Sequence, residues 1–127
     1  MKNGLITGGI FAMLAVMIGA FGAHALKDIL GSHVATYETG VQYQMFHAVA
    51  ILICGVVQEK LNSRLISAAI ILFSAGIILF SGSLYVLSIT KITFLGAITP
   101  IGGVCFISGW LCFIIAAAKS RPGYHSF

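Results

Sequence analysis

Four long apolar runs, separated by short polar segments, set the pattern of this chain. They cover about residues 4–26, 41–57, 65–89 and 94–118. Because an α-helix rises 1.5 Å per residue, runs of roughly 20 apolar residues can cross a hydrocarbon core about 30 Å thick. The pattern predicts an all-α, integral membrane four-helix bundle in which residues 1–127 form a single membrane domain.

The longest polar segment, residues 27–40, connects the first two runs. Ser32 is of a residue type that often caps helix N-termini, and Val34, Tyr37 and Val41 recur with helical spacing. A helix of this kind can lie in the plane of the membrane interface, where tyrosine is favoured at headgroup depth. We therefore expect a short interfacial helix between helices 1 and 2.

The start of the fourth helix has two interpretations because Pro100 lies inside the last apolar run. Proline lacks a backbone N–H, so a helix that begins near Phe94 would be kinked at Pro100. Alternatively, Thr99 is the N-cap and Pro100 the first helical residue, which starts a helix at residue 100. Both versions are long enough to cross a membrane.

Small residues follow stripes along the first and third predicted helices, and glycines, Gly103 among them, keep the fourth helix thin for close packing. Glycines and alanines share one side of the first helix, and serines recur every seven residues in the third, at positions 67, 74, 81 and 88. Small side chains let membrane helices approach closely, and a seven-residue repeat marks a seam that faces a partner helix. The predicted packing residues are Gly8, Gly19, Ser74, Ser81 and Gly103.

Polar side chains enter the second predicted helix on one face. Tyr43, Gln44 and His47 fall within about a third of its circumference at 100° per residue. Polar groups inside a membrane are costly unless they meet partners, so this face should contact another helix or a hydrated pocket. With His24 at the end of the first helix and Tyr85 on the serine stripe, they form a predicted polar pocket that faces outward.

The charged residues indicate topology and exclude a nucleic-acid interface. The net charge is +4, but the basic residues lie singly between apolar runs and form no patch. Four spans place both termini on one side. Five basic residues on that side against two on the other predict cytoplasmic N- and C-termini in the inner membrane: Lys2, Lys60, Arg64, Lys119 and Arg121 against Lys27 and Lys91.

No motif in the sequence indicates catalysis or a metal site. The three acidic residues, Asp28, Glu38 and Glu59, lie in connectors and form no catalytic pair. Cys54, Cys105 and Cys112 lie in apolar runs without a C-x-x-C spacing. We therefore predict a protein that is not an enzyme and that holds no cofactor or metal ion.

Three stretches in combination resemble a known family: GAFGAHALK from Gly19, YQMFHA from Tyr43, and FSGSLYVLSIT with LGAITPIGG between Phe80 and Gly103. The family comprises small bacterial membrane proteins known as domain-of-unknown-function family 423, or uncharacterised protein family 0382. The resemblance implies a four-helix inner-membrane protein without an assigned activity. It transfers no catalytic role onto any residue of this chain.

Three functional hypotheses remain open at this point. The first is a non-catalytic scaffold or accessory subunit whose small-residue stripes pack internally and against a membrane protein partner or a second copy of the chain. The second is a binding or permeation protein for a proton, a quinone or another small ligand in the polar pocket. The third is haem held between His24 and His47. In each, the bilayer is the solvent and nucleic acid is not a partner.

Overall fold

The computed structural model describes residues 2–61 and 63–120, and within these ranges all regular structure is helical. A π-helical segment, Ile77–Ser81, joins the fourth α-helix to the fifth, and short 3-10 segments, Gly31–His33 and Thr93–Ala97, precede the third and the sixth. The α-helices are α1 (Lys2–His24), α2 (Lys27–Leu30), α3 (Val34–Leu61), α4 (Arg64–Gly76), α5 (Gly82–Thr90) and α6 (Thr99–Ala118).

Four helical stretches are long and apolar enough to cross a membrane: Lys2–His24, Lys27–Leu61, Arg64–Thr90 and Thr93–Ala118. Helix α1 packs chiefly on α3, α4 packs on α6, and contacts between α3 and α4 join the two pairs. Large apolar side chains cover the outside; Ile71 is 67% exposed and Phe94 75%. Such a surface suits lipid rather than water, and the predicted all-α, four-helix membrane architecture is confirmed.

Helix α3 begins at Val34, seven residues earlier than the predicted second helix. Val34 and Tyr37 therefore belong to a long α-helix and not to a separate interfacial helix. Ser32 does not act as its N-cap, because it lies in the 3-10 segment and its hydroxyl approaches the neighbouring His33 ring. The short helix between α1 and α3 is α2, Lys27–Leu30, which lies earlier in the chain than the sequence pattern placed it.

Helix α3 continues through the predicted polar connector, where Gly40 allows close packing against another helix. The ring of Tyr85 lies against Gly40, and a Cβ atom there would come within 2.8 Å of that ring. Glycine lowers helix propensity by about 1 kcal/mol, but this packing offsets the loss. Tyr37 is buried nearby, and its hydroxyl donates a hydrogen bond to the Ile18 carbonyl of α1 at 2.7 Å. Tyr37, which was expected at headgroup depth, therefore forms a contact between α1 and α3.

Lys91 ties the short helix α2 to the end of α5. The backbone of Lys91 is left-handed, with φ of 64°, and ends α5. Its ammonium group donates hydrogen bonds to the carbonyls of Ile29 and Leu30, at 2.9 and 2.6 Å. Since the last carbonyls of a helix lack partners within it, Lys91 supplies α2 with a C-terminal cap from another helix.

Helix α6 begins at Thr99 with Pro100 in its first turn. Of the two interpretations, a start beside Pro100 is therefore correct, and a kinked helix from Phe94 is not. Thr99 does not cap the helix. Its hydroxyl forms a hydrogen bond with the Ser83 hydroxyl of α5 at 2.6 Å. The helix ends at Ala118.

Two of the predicted glycines hold α1 against α3. A Cβ atom on Gly8 would lie 2.8 Å from the Leu52 side chain, and one on Gly19 would lie 3.2 Å from Val41. The first distance is too short for any real contact, so Gly8 is required for this helix spacing. The second is tight but can be relieved by a small shift of the valine.

On α6 the close approach belongs to Gly102 and not to the predicted Gly103. A Cβ atom on Gly102 would lie 2.3 Å from the Phe80 backbone nitrogen, whereas one on Gly103 would lie 4.0 Å from the Phe80 ring. The two glycines are consecutive, so their directions differ by about 100° around the helix. Only Gly102 points at the π-helical segment.

The serine seam combines interhelical bonds to α3, at Ser67 and Ser81, with bonds inside its own helix. Ser81 is fully buried and donates to the Gly40 carbonyl of α3 at 2.7 Å. Ser74 donates instead to the Ile70 carbonyl, one turn back in α4. Of these two predicted packing residues, only Ser81 bonds across the bundle.

Candidate functional site

Gln44 is the centre of a polar node that joins three helical stretches. It is 3% exposed and lies near the middle of α3. Its amide nitrogen donates to the Phe11 carbonyl of α1 at 2.9 Å, and its amide oxygen accepts from the Tyr85 hydroxyl of α5 at 2.6 Å. Tyr37 packs beside Tyr85 with ring centroids 5.2 Å apart. We call Gln44, Tyr85 and Tyr37 the polar node.

His47 lies one turn further along α3, and its hydrogen bonds fix its tautomer. The Trp110 indole N–H, which can only donate, points at Nε2 of His47 at 3.0 Å. Nε2 must therefore be the acceptor, and Nδ1 carries the proton and donates to the Tyr43 carbonyl at 2.8 Å. Both ring nitrogens of a neutral His47 are thus bonded within the protein.

Aromatic rings from α3, the π-helical segment and α6 surround His47. Phe106 stacks on the imidazole with centroids 3.7 Å apart and an interplanar angle of 11°. Tyr43 lies 4.5 Å from Phe80, also between centroids. Since each such ring pair adds about 0.5–1.5 kcal/mol beyond its buried area, these pairs fix α6 and the π-helical segment against α3. We call His47, Tyr43, Phe80, Phe106 and Trp110 the aromatic cluster.

A cleft of about 560 Å³ opens beside the aromatic cluster, between α3 and α6. Its mouth is formed by side chains of the outer surface, Phe46 at 65% and Ile107 at 70% exposure. The cleft therefore opens sideways, toward the face that lipid covers. Gln42 and Tyr43, both exposed, are polar residues along its wall, and Gly103 leaves space within it.

The structure divides the predicted polar pocket into separate places. Gln44 and Tyr85 meet in the polar node, and Tyr43 and His47 belong to the aromatic cluster. His24 joins neither; it is exposed at the end of α1, and its side chain makes no hydrogen bond or ring contact with the rest of residues 2–61 and 63–120. One outward-facing pocket shared by these five residues is not what the helices build.

A haem bridge between His24 and His47 is excluded by their distance. Gly8 faces Ala48, the neighbour of His47, and His24 lies about 24 Å further along α1 at 1.5 Å per residue. Two ligands of one iron must lie within a few ångströms of it, and Nε2 of His47 already accepts from Trp110. The haem hypothesis is therefore wrong.

His47 also lies deeper than the sequence suggested. Because α3 starts at Val34, His47 is about 20 Å from its N-terminus at 1.5 Å per residue, near the middle of its 28 residues. The predicted start at Val41 would place His47 only about 9 Å from the end of the helix.

Sequence reasoning missed Trp110 and Phe106 as partners of His47, and Ser83 as the partner of Thr99. Trp110 is the single tryptophan and lies deep in its apolar run rather than at a membrane boundary, where tryptophan is favoured. A buried indole usually needs an acceptor, and that was the available signal. Nothing local distinguished Phe106 from the other phenylalanines.

Comparison with known proteins places the chain among uncharacterised bacterial membrane proteins. The family model described as "Protein of unknown function (DUF423)" matches residues 18–103. The UPF0382 membrane protein YwdK of Bacillus subtilis strain 168 is 48% identical over 128 aligned positions, covering 94% of this chain and 98% of that protein. The UPF0382 membrane protein SAB0533 of Staphylococcus aureus strain RF122 is 48% identical, with the same coverage of both chains. No solved structure matches the chain.

Proposed function

The chain belongs to the DUF423 family of membrane proteins, to which no activity is assigned, and on that premise we propose that it is a non-catalytic helical scaffold or accessory subunit of the bacterial cell membrane. The observation that carries this proposal is the internal bonding of the polar groups. Gln44, His47 and Ser81 all have partners within the protein, and no buried side-chain nitrogen or oxygen among the described residues lacks one.

This bonding favours a structural role for the polar centre. A polar side chain that binds a ligand or a proton needs a free donor or acceptor. The side chains of Gln44 and His47 instead use theirs to connect α3 to α1, α5 and α6. Interhelical hydrogen bonds in membranes contribute about 0.6 kcal/mol on average and up to about 1.7. Several of them on one helix define which neighbours it takes and in which register.

A matched pair of glutamines on α3 tests the scaffold proposal. Gln44→Leu removes bonds to two helices and leaves the Tyr85 hydroxyl without its acceptor, so we expect about 1–3 kcal/mol lower stability in detergent. Gln42→Leu makes the same chemical change on the exposed side and should have little effect. Adding Tyr85→Phe to Gln44→Leu should recover part of the loss. Equal stability of the two single variants would contradict the proposal.

We also propose that both termini face the cytoplasm. The support is the excess of basic residues in the segments next to the termini and in the α3–α4 connection. Reporter fusions after Lys60 and near His33 should give cytoplasmic and external signals, respectively. The opposite pattern would reverse the orientation.

The cleft beside the aromatic cluster favours a second candidate function, the binding of a small apolar or amphipathic ligand that enters from the bilayer. Its volume of about 560 Å³ lies within the usual range of about 300–1,000 Å³ for ligand pockets, and aromatic side chains dominate its wall. A quinone represents the class: a flat ring with carbonyl acceptors and an apolar tail.

Trp110, the single tryptophan, lines this cleft and reports on its contents. A short-chain quinone added to the purified protein should quench Trp110 fluorescence with saturation. Gly103→Leu should fill the cleft without displacing Phe80, since the site has open space, and should remove the saturable part of the quenching. Equal quenching of both proteins would indicate random collision in the detergent micelle and contradict ligand binding.

A further inference from the structure

A second cavity, of about 410 Å³, lies where α1 ends and α3 begins. Lys27, the first residue of α2, and Glu38, in the second turn of α3, both line it. It shares Tyr37 with the polar node and Gln42 with the cleft, contains no member of the aromatic cluster, and lies near one end of the two spanning helices.

The two charged residues of this cavity are of opposite sign and are not paired. Both are exposed, and within residues 2–61 and 63–120 neither forms an ion pair or a side-chain hydrogen bond. Lys91, the other lysine at this end, is occupied by the α2 carbonyls. Asp28 is adjacent in sequence but does not line the cavity.

The rest of the cavity wall is uncharged, mostly small or apolar, with Tyr37 and Gln42 as its further polar residues. Gly19, Gly22 and Ala23 of α1 face Val34 and Val41 of α3 across it. The cavity therefore combines one cation and one anion at its polar side with an uncharged surface that runs along the helices. A ligand that fits this distribution has both charges at one end and an apolar body.

We propose that this cavity binds a phospholipid whose headgroup carries both a phosphate and a primary ammonium group. Lys27 contacts the phosphate, Glu38 accepts hydrogen bonds from the ammonium, and the upper acyl region lies along the small residues of α1. A headgroup with phosphate alone would leave Glu38 unpaired next to a second negative charge. A quaternary ammonium has no N–H to donate to the carboxylate.

Native mass spectrometry of the full-length protein, released from mixed micelles, tests this proposal. Phosphatidylethanolamine, phosphatidylglycerol and phosphatidylcholine of identical acyl chains are offered at equal concentration. We expect phosphatidylethanolamine to be retained at least about threefold more than either competitor, as expected for one partly exposed charge pair. Equal retention of all three lipids overturns the proposal.

Single-charge variants distinguish the roles of the two residues. Lys27→Gln should lower retention of both phosphatidylethanolamine and phosphatidylglycerol, because both carry the phosphate. Glu38→Gln should remove the preference for phosphatidylethanolamine and leave phosphatidylglycerol bound. Asp28→Asn is the matched control: it removes a neighbouring carboxylate that does not line the cavity and should change nothing.

A charge reversal provides a gain of binding that a misfolded protein cannot produce. Glu38→Lys places two cations on the cavity and should invert the selectivity toward phosphatidylglycerol. A selectivity that Glu38→Lys leaves unchanged, or that Asp28→Asn alters as strongly as Glu38→Gln does, contradicts the assigned contacts.

Discussion

Gln44 and His47 lie on the same face of α3, one turn apart, yet they belong to sites of different kinds. Gln44 is enclosed, and its hydrogen bonds reach α1 and α5. His47 bonds to Trp110 of α6 within stacked rings, and a cleft opens beside it. One face of a helix can thus present an enclosed polar node and a laterally open aromatic cluster.

The difference indicates how each neighbour is held. A few hydrogen bonds of about 0.6 kcal/mol each contribute less than the ring packing of several aromatic pairs at about 0.5–1.5 kcal/mol. The polar node therefore specifies register between α1, α3 and α5, whereas apolar and aromatic area supplies most of the attachment of α6.

The largest effect should come from the glycine that lets α6 approach the aromatic cluster. Gly102→Ala places a methyl group 2.3 Å from the Phe80 backbone nitrogen, so α6 must move away. We expect a loss of about 1–3 kcal/mol, the usual cost of overpacking, measured by thermal unfolding in detergent. Gly103→Ala, with its nearest contact at 4.0 Å, is the control. Similar losses of stability for both variants would contradict a close contact between α6 and Phe80 that is specific to Gly102.

An intermediate effect is expected for His47→Phe. The new ring keeps the stacking on Phe106 but removes the acceptor of the Trp110 indole N–H, which is left beside an open cleft. The loss should be about 1 kcal/mol, smaller than that for Gln44→Leu, because one interhelical bond is lost instead of two. Trp110 emission should shift to shorter wavelength as the indole loses its partner. A loss larger than that of Gln44→Leu would reverse the ranking of the two sites.

The smallest effect is expected for the serine seam. Ser81→Ala removes the bond to the Gly40 carbonyl and should cost about 0.6 kcal/mol, the average for interhelical bonds in membranes. Ser74→Ala removes only a bond within α4 and should be close to neutral. Chemical denaturation in mixed micelles can resolve this difference. An equal or larger cost for Ser74→Ala would contradict this assignment of the interhelical bond to Ser81.

The spans could be predicted because apolar runs and their lengths are properties of the sequence itself. Their ends were less predictable, since they depend on tertiary contacts. The start of α3 at Val34 depends on Tyr85 packing against Gly40 and on Tyr37 reaching the Ile18 carbonyl. A pattern of polar residues in 27–40 does not reveal that another helix will cover them.

The sequence predicted which residues belong to the candidate site better than it predicted how they are arranged. Polar side chains in a membrane helix must find partners, and this rule alone selects Gln44 and His47. It does not say which partners, because Trp110 lies 63 positions further along the chain. Gly102 and Gly103 differ only in direction, so the close contact between α6 and Phe80 could not be placed on one of them without the helix rotation.

Because of the π-helical segment Ile77–Ser81, the third span should tolerate the deletion of one residue at some positions and not at others. Its defining bond, from the Gly82 N–H to the Ile77 carbonyl, encloses one residue more than an α-helical turn does. Deleting the lipid-facing Ile78 would let this turn close as ordinary α-helix and keep Ser74 and Tyr85 in their directions, whereas deleting Ile71 would rotate everything beyond it by about 100°. A chain shortened by one residue should therefore still fold when the residue comes from this segment, and fail when it comes from α4.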